Sequence, residues 1–194
     1  MLFKKKHEFK PDKTHSGALS KLYITKKQRL QLLKWLLFAL VLVALSVLQD
    51  TILCRVRILG ATTDLLCGGL LLMCILLDPE QGCIFMLTGS CLYCFSGSAP
   101  GPYVIALLTV IGLVISIFRQ SYLHQNFFTT FLCTAVAVML YELLLFAIGA
   151  LLGNTSVQRL GVFALSGVFT LVFMPALYPL LRAIGKIGGE TWKD

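Results

Sequence analysis

Two acidic residues lie inside apolar stretches of this sequence, Asp64 within Ile58–Leu77 and Glu142 within Phe127–Leu152. A carboxylate in the middle of a bilayer costs about 2.5–3.5 kcal/mol on insertion scales, so each side chain must face protein or water. Such a pair is typical of an ion or small-molecule site, or of a proton-carrying pair. The alternatives are hydrogen bonding to a partner helix and a purely structural polar contact.

The cysteines offer a second candidate chemistry, because Cys91-x-x-Cys94 has a spacing used in redox and metal sites. No second pair and no nearby histidine completes such a site. Six of the seven cysteines lie in apolar stretches, where a thiol is a small apolar side chain, and only Cys54 lies outside them. We therefore expect no metal site and no disulfide framework.

Catalytic motifs are missing from the sequence. The three histidines, His7, His15 and His124, lie in polar segments, so none lies inside an apolar stretch as a ligand or base. The sequence holds no Ser/His/Asp set, Walker loop or HExxH motif. We expect a protein that is not an enzyme and that needs no cofactor.

The composition indicates which elements must position these residues. Of 194 residues, 57% are hydrophobic and 13% are charged, and the mean hydropathy is +0.84. The net charge of +8 does not indicate a nucleic-acid partner, because ten of the seventeen basic residues lie in the first 34 positions. These values exclude a disordered chain, a coiled coil and a water-soluble enzyme. They predict an all-α, multi-span membrane protein.

Continuous apolar runs, rather than alternating short strands, predict six transmembrane helices. Residues 81–118 form an uncharged run of 38 residues, roughly 57 Å as a helix, which is two bilayer thicknesses. The Gly- and Pro-rich stretch at 96–102 divides that run. The predicted spans are Gln31–Gln49, Ile58–Leu77, Gly82–Ser98, Tyr103–Phe118, Phe127–Leu152 and Leu160–Leu181.

The distribution of basic residues predicts the orientation. If the N-terminal segment is cytoplasmic, the inside segments hold fourteen Lys and Arg residues and the outside segments hold three, Arg55, Arg57 and Arg159. By the positive-inside rule, both termini are then cytoplasmic. In this topology Asp64 and Glu142 both lie in the outer half of the membrane, where they can share one polar cavity.

Three segments follow from this division: a basic cytoplasmic tail at 1–29 that we expect to be disordered, a membrane domain at 30–184, and a short cytoplasmic tail at 185–194. Basic residues in the first tail either bind anionic lipid or a cytoplasmic partner, or only set the topology. These residues are Lys4, Lys5, Lys6, Lys26, Lys27 and Arg29.

Small residues predict close approaches between helices, either inside the bundle or at an oligomer face. These are Gly68-Gly69, Gly89, Gly149-x-x-x-Gly153, and the segment from Gly161 to Gly167.

The middle of the chain resembles the bacterial rod-shape-determining protein family MreD. That family has Pro-Asp-Leu early in one span, then Gly-Phe-x-x-Gly-x-x-x-Asp and Ser-Gly-Ser-x-x-Gly. The corresponding stretches here are Thr63-Asp64-Leu65-Leu66, Phe85 to Tyr93, and Ser96 to Tyr103. Gly89, Ser96-Gly97-Ser98 and Gly101 match the pattern, whereas Thr63 replaces the proline, Phe85 the first glycine and Tyr93 the acid. The resemblance covers about residues 31–184 and also includes the final span.

This resemblance implies a non-enzymatic scaffold in the cell-elongation machinery of the bacterial cytoplasmic membrane. MreD-like proteins associate with MreC, a single-span periplasmic protein, and link MreB filaments to lateral peptidoglycan synthesis and its enzymes. On this interpretation the candidate partner-contact residues are Gly89, Gly97, Gly101 and Tyr103. Loss of the acid at Tyr93 indicates a divergent member with altered partner contacts.

A second hypothesis is the substrate-binding subunit of an energy-coupling-factor vitamin importer, which is similar in size, span number and basic N-terminus. Asp64 and Glu142 would then bind a solute. That family commonly has Ala-x-x-x-Ala on its first span, and here Ala39 and Ala44 are five residues apart. The short outer loops also offer little cover for a ligand, so the scaffold is the preferred interpretation.

Overall fold

A computed structural model of the chain describes residues 26–56, 60–97, 99–122 and 126–187. Its regular structure is all-helical. The six α-helices, numbered α1 to α6 in chain order, are Lys26–Thr51, Leu65–Leu76, Pro79–Phe95, Tyr103–Tyr122, Phe127–Leu151 and Leu160–Gly185. Single 3-10 turns at Leu53–Arg55 and Val157–Arg159 follow α1 and precede α6.

Three regions of helix are long and apolar enough to cross a bilayer, Arg29–Arg55, Phe127–Leu151 and Val157–Gly185. Two shorter apolar helices are Leu65–Leu76 and Tyr103–Arg119. The all-α prediction is therefore confirmed.

The outer face of α1 carries an apolar stripe at a spacing of three or four residues, formed by Leu32, Leu36, Leu40, Val43 and Val47. Exposed side chains of this kind suit a lipid environment.

Helix boundaries follow local chemistry at most positions. Asp78 precedes α3 and Pro79 is its first residue, where the missing N–H has no intrahelical partner to lose. Helix α6 continues through Pro175 and Pro179 to Gly185. The predicted tail boundary at residue 29 lies inside α1, because the helix begins at Lys26 in a run of good helix formers.

The second predicted span, Ile58–Leu77, is wrong in its first part. Residues 60–64 are not helical, and α2 begins only at Leu65. Gly60, the first described residue of this non-helical segment, has φ +84°, a left-handed conformation that suits glycine. Asp64 is therefore the N-cap of α2 rather than a residue within it.

Helix α2 is the centre of the bundle. All twelve of its residues are buried, and it contacts each of the other five α-helices. At about 1.5 Å per residue it is roughly 18 Å long, which is shorter than a bilayer core of about 30 Å. The other helices therefore enclose a short apolar axis.

Glycines permit some of these approaches. A Cβ at Gly68 would lie 2.5 Å from side-chain atoms of both Thr170 and Met174, and one at Gly69 would lie 2.7 Å from Leu45. The expected close packing at Gly68-Gly69 is therefore confirmed. A Cβ at Gly153 or Gly161 would meet no atom within 4 Å, so these two glycines do not lie at a helix contact in the described chain.

Candidate polar cavity at one end of the bundle

One end of the bundle, here called the cavity end, is where α1 and α3 finish and where α2 and α6 begin. Its polar side chains come from Gln49 at the end of α1, Asp64 before α2 and Tyr93 near the end of α3. Helix α5 contributes Tyr141 and Glu142, and α6 contributes Ser166 and Thr170. The end formed by the starts of α1 and α3 is called the opposite end.

Asp64 organises this cluster through four hydrogen bonds. Its Oδ1 accepts from the backbone N–H of Cys67 at 3.2 Å and from Nε2 of Gln49 at 3.3 Å. Its Oδ2 accepts from the hydroxyl of Tyr93. Its own backbone N–H donates to Oγ1 of Thr170 at 3.0 Å. The carboxylate thus caps α2 and joins the start of that helix to α1, α3 and α6.

Gln49 binds the same helix end in a second way. Its Oε1 accepts a hydrogen bond of 2.7 Å from the backbone N–H of Leu66, one of the first N–H groups of α2. Such groups have no intrahelical acceptor, so a side-chain acceptor from a neighbouring helix stabilises them. Both ends of the Gln49 amide are therefore used, and its orientation is fixed.

Two tyrosines extend the cluster into the bundle. Tyr93 and Tyr141 are almost fully buried, and their hydroxyl oxygens are 3.5 Å apart, with Tyr141 donating. Because Tyr93 donates to Asp64, its oxygen remains available as an acceptor. Gln49, Asp64, Tyr93, Tyr141 and Thr170 are called the Asp64 network below.

Glu142 lies beside this network on α5 and is only 5% exposed. Its Oε1 lies 3.0 Å from Oγ of Ser166, which also lies 2.8 Å from the carbonyl oxygen of Thr62. Ser166 therefore connects α6 to the non-helical segment before α2 and to Glu142. Within the described residues, Ser166 is the one hydrogen-bond partner that the structure gives the Glu142 carboxyl group.

Five of these polar side chains line a cavity of about 250 Å³: Gln49, Asp64, Tyr93, Glu142 and Ser166. Asp64 and Glu142 both line it, so the structure brings the two acids of the apolar stretches to one place. The remaining lining is a mixture of polar and apolar residues: Gln49, Gly60, Ala61, Thr62, Thr63, Tyr93, Pro100, Leu145, Val162, Phe163 and Ser166. The arrangement supplies mostly hydrogen-bond acceptors, together with an apolar wall.

The glycines named as partner contacts occupy two different environments. Gly89 is buried, and a Cβ there would collide with Leu70 of α2, so it serves the interior of the bundle. Gly97 is exposed with φ +76°, in the turn after α3. Gly101 packs near the Tyr103 ring, which a Cβ would approach to 2.5 Å. Of these four residues, Gly97 is the exposed one.

The basic candidates are less defined. Lys4, Lys5 and Lys6 lie outside the described residues. Lys26, Lys27 and Arg29 belong to the first turn of α1, and Arg29 is exposed.

All seven cysteines are free, and Sγ of Cys94 contacts the carbonyl oxygen of Gly101 at 3.8 Å. In the described part of the chain, no three His, Cys, Asp or Glu residues form a metal-binding group.

Five cavity-end residues were not predicted from the sequence as site residues: Gln49, Tyr93, Tyr141, Ser166 and Thr170. Ser166 and Thr170 are four residues apart, a spacing that places both on one face of a helix and so marks a polar face on the last span. Gln49 gave a weaker signal, because an uncharged polar residue at a span end looks like a boundary residue.

Comparison of the chain with protein-family models, curated proteins and solved structures finds no match.

Proposed function

We propose that this chain is a multi-pass protein of the bacterial cytoplasmic membrane, with six helices in the bilayer and both termini in the cytoplasm. Three long apolar helices and the exposed apolar stripe of α1 support a membrane location. The excess of Lys and Arg in the proposed inside segments supports the orientation. Helix α2 is enclosed by its neighbours, so its own length need not match the bilayer. The cavity end then faces outwards.

Within that membrane, the proposed role is a non-enzymatic scaffold of the cell-elongation machinery. It would link an MreC-like single-span protein and MreB filaments to peptidoglycan-synthesis enzymes. The observation that carries this proposal is the hydrogen bond from Tyr93 to Asp64. It joins two of the three sequence stretches on which the resemblance to MreD rests, through residues that are 29 positions apart in the chain.

The same contact accounts for the departure from the family pattern at Tyr93. An acid at this position would face Asp64, and two carboxylates in a low-dielectric interior repel each other unless one is protonated. A phenol can instead donate a hydrogen bond to the carboxylate. A tyrosine at this position therefore links α3 to the start of α2 without placing a second carboxylate beside Asp64.

The proposed partner surface lies around the turn after α3. Phe95 ends this helix and is 87% exposed, directly before the Ser96-Gly97 pair that matches the family pattern. A large exposed aromatic side chain at the outer end of a bundle suits a partner with a periplasmic domain, since aromatic residues are enriched where proteins dock. The start of α1, with Lys26, Lys27 and Arg29, lies at the cytoplasmic end and suits anionic lipid or a cytoplasmic partner.

The test is capture of partners from the native membrane. The full chain is tagged at its C-terminus, extracted gently from its own host and analysed by mass spectrometry. We expect a single-span periplasmic protein together with wall-synthesis enzymes. The variant Phe95→Ser should reduce recovery of that protein about tenfold, the effect of losing an aromatic anchor worth about 1.4 kcal/mol at the centre of an interface.

Phe128→Ser is the matched control for this experiment. Phe128 is 73% exposed and lies in the first turn of α5, at the opposite end of the bundle. It should leave the recovery of a periplasmic partner unchanged. Equal recovery with both variants would exclude the turn after α3 as the docking surface, and absence of wall-synthesis proteins from the wild-type sample would refute the scaffold.

The second candidate is the substrate-binding subunit of a vitamin importer, and the cavity is the observation that favours it. The same capture experiment separates the two roles. An ATPase pair with a multi-span coupling subunit, or a retained vitamin, would establish the importer. The cavity volume of about 250 Å³ counts against this candidate, since sites for drug-sized ligands usually measure about 300–1,000 Å³.

A further inference from the structure

The Glu142 carboxyl group has fewer hydrogen-bond partners than the other carboxyl group of the cavity, that of Asp64. Asp64 accepts three hydrogen bonds, from Gln49, Cys67 and Tyr93. Glu142 accepts from Ser166 at its Oε1, and no described residue donates to its Oε2. Glu142 is only 5% exposed and lines the cavity. The space available to a partner of Oε2 is therefore the cavity. A buried carboxylate normally has more partners than this.

The charges around the cavity have one sign. Two carboxylate residues, Asp64 and Glu142, contribute to the lining, whereas no Lys, Arg or His is among the described residues that line it. Two acids that line one cavity repel each other unless one is protonated or a cation lies between them, so a bound cation is favoured because it removes that repulsion. The complementary ligand is therefore a cation.

The rest of the lining distinguishes between kinds of cation. Leu145 and Val162 form an apolar wall, and Phe163 supplies an aromatic ring, a group on which ammonium ions bind. Divalent metal sites use more carboxylate, imidazole or thiolate ligands, and the described chain has no group of three such side chains. A volume of about 250 Å³ is enough for an ion with a short carbon chain.

We propose that the cavity between Asp64 and Glu142 binds a small organic cation, a protonated primary amine with a short alkyl chain. The ammonium group donates to the free oxygen of Glu142, and the alkyl part lies against Leu145 and Val162. This site is independent of the scaffold role, since it concerns a ligand of the bundle interior. Partner capture with Phe95→Ser tests the scaffold, and the following titration tests the ligand.

The experiment is calorimetric titration of the full chain, purified in detergent, with ethylammonium chloride. Ethanol is the neutral probe of matched size, and sodium chloride and magnesium chloride are the inorganic probes. We expect saturable binding of ethylammonium, at least about tenfold tighter than sodium or magnesium, and no saturable binding of ethanol. The charge and the carbon chain are thereby tested separately.

Three variants locate the site. Glu142→Gln should weaken ethylammonium binding at least about tenfold, because it removes the charge that meets the ammonium group. Glu80→Gln makes the same chemical change at an exposed residue in the first turn of α3, at the opposite end, and should leave binding unchanged. Val162→Phe keeps both acids and fills part of the cavity, so it should also weaken binding.

Four results would overturn the proposal. They are the absence of saturable ethylammonium binding, equal binding of ethanol, tighter binding of sodium or magnesium, and wild-type affinity in the Glu142→Gln variant. If Glu142→Gln does not yield folded protein, Val162→Phe decides the question: wild-type affinity in that variant would exclude this cavity.

Discussion

The two ends of helix α2 are held in different ways. At the cavity end, Gln49 accepts a hydrogen bond from the backbone N–H of Leu66, and the N-cap Asp64 accepts from Tyr93 and donates its own backbone N–H to Thr170. At the opposite end packing contacts predominate, beside one long hydrogen bond of 3.5 Å from Oγ of Ser116 to the carbonyl oxygen of Cys74. A Cβ at Gly82 would lie 3.0 Å from the carbonyl oxygen of Cys74, and one at Gly112 would lie 3.2 Å from side-chain atoms of Cys74 and Met86.

The two ends of α2 therefore contribute to the fold in different ways. Close packing through small residues gives many weak contacts and tolerates no added volume, which suits a rigid support. Hydrogen bonds in a low-dielectric interior are directional, and each lost partner leaves a costly unpaired group. The cavity end therefore holds particular atoms in place, whereas the opposite end mainly holds helices together.

The largest expected effect comes from adding volume at the opposite end. Gly82→Leu directs a side chain at the backbone of Cys74, which cannot move without shifting α2. We expect destabilisation of about 3 kcal/mol or more, seen as a lower thermal midpoint in a fixed detergent or as loss of the monodisperse protein. Gly161→Leu is the control, because a Cβ there meets no atom within 4 Å. Equal stability of the two variants would contradict close packing at Gly82.

The second prediction compares buried tyrosines at the two ends. Tyr93→Phe removes the hydrogen bond to Asp64 and keeps the ring, so it should destabilise the protein by about 2 kcal/mol in thermal unfolding. Tyr178→Phe should cost less, below about 1 kcal/mol. Its ring contacts Phe127 at 4.8 Å and the Arg182 guanidinium at 5.9 Å, and both contacts survive the change. A larger effect at Tyr178 would reverse the comparison.

The smallest expected effect compares two buried threonines. Thr170→Val deprives the Asp64 backbone N–H of its acceptor and should cost about 1 kcal/mol. In Thr134→Val the lost bond, to the carbonyl oxygen of Thr130, lies within α5, and we expect a change below about 0.5 kcal/mol. The difference between the two thermal midpoints measures the contribution of hydrogen bonding between helices. Identical midpoints would show that this bond adds nothing to stability.

Most of the helices follow directly from the sequence. The predicted spans Gln31–Gln49, Tyr103–Phe118 and Leu160–Leu181 lie within α1, α4 and α6. Uncharged runs and turn residues mark these segments, because a long apolar helix and a Gly- or Pro-rich turn each leave a clear local pattern. The third predicted span, Gly82–Ser98, begins and ends three residues later than α3.

The start of α2 was not predictable in the same way. Hydropathy is averaged over a window, and the apolar run after Asp64 makes the segment before Leu65 look like part of a span. Whether it is helical depends on neighbours far along the chain, such as Thr170 accepting from Asp64. A non-helical segment can lie at this depth because it lines a cavity and its polar groups find partners there.

The candidate site was predictable only in its charged members. Asp64 and Glu142 stand out because ionisable residues are rare in apolar stretches. Tyr93 and Gln49 are residue types commonly found at such positions in a span, so the sequence does not mark them. Their roles come from contacts with Asp64 at the start of α2. Such contacts are set by the packing of the bundle, which a single sequence without a structure does not supply.

The shortness of α2 has a consequence for how the protein is made. In the proposed topology, a segment of twelve helical residues leaves the ribosome before α3, although it is too short to span a bilayer alone. Its polar approach at residues 60–64 would face lipid until its neighbours arrive. In that topology we therefore expect the insertion of α2 to become stable only after the synthesis of α5 and α6, which supply Glu142, Ser166 and Thr170, so that the last helix completes the integration.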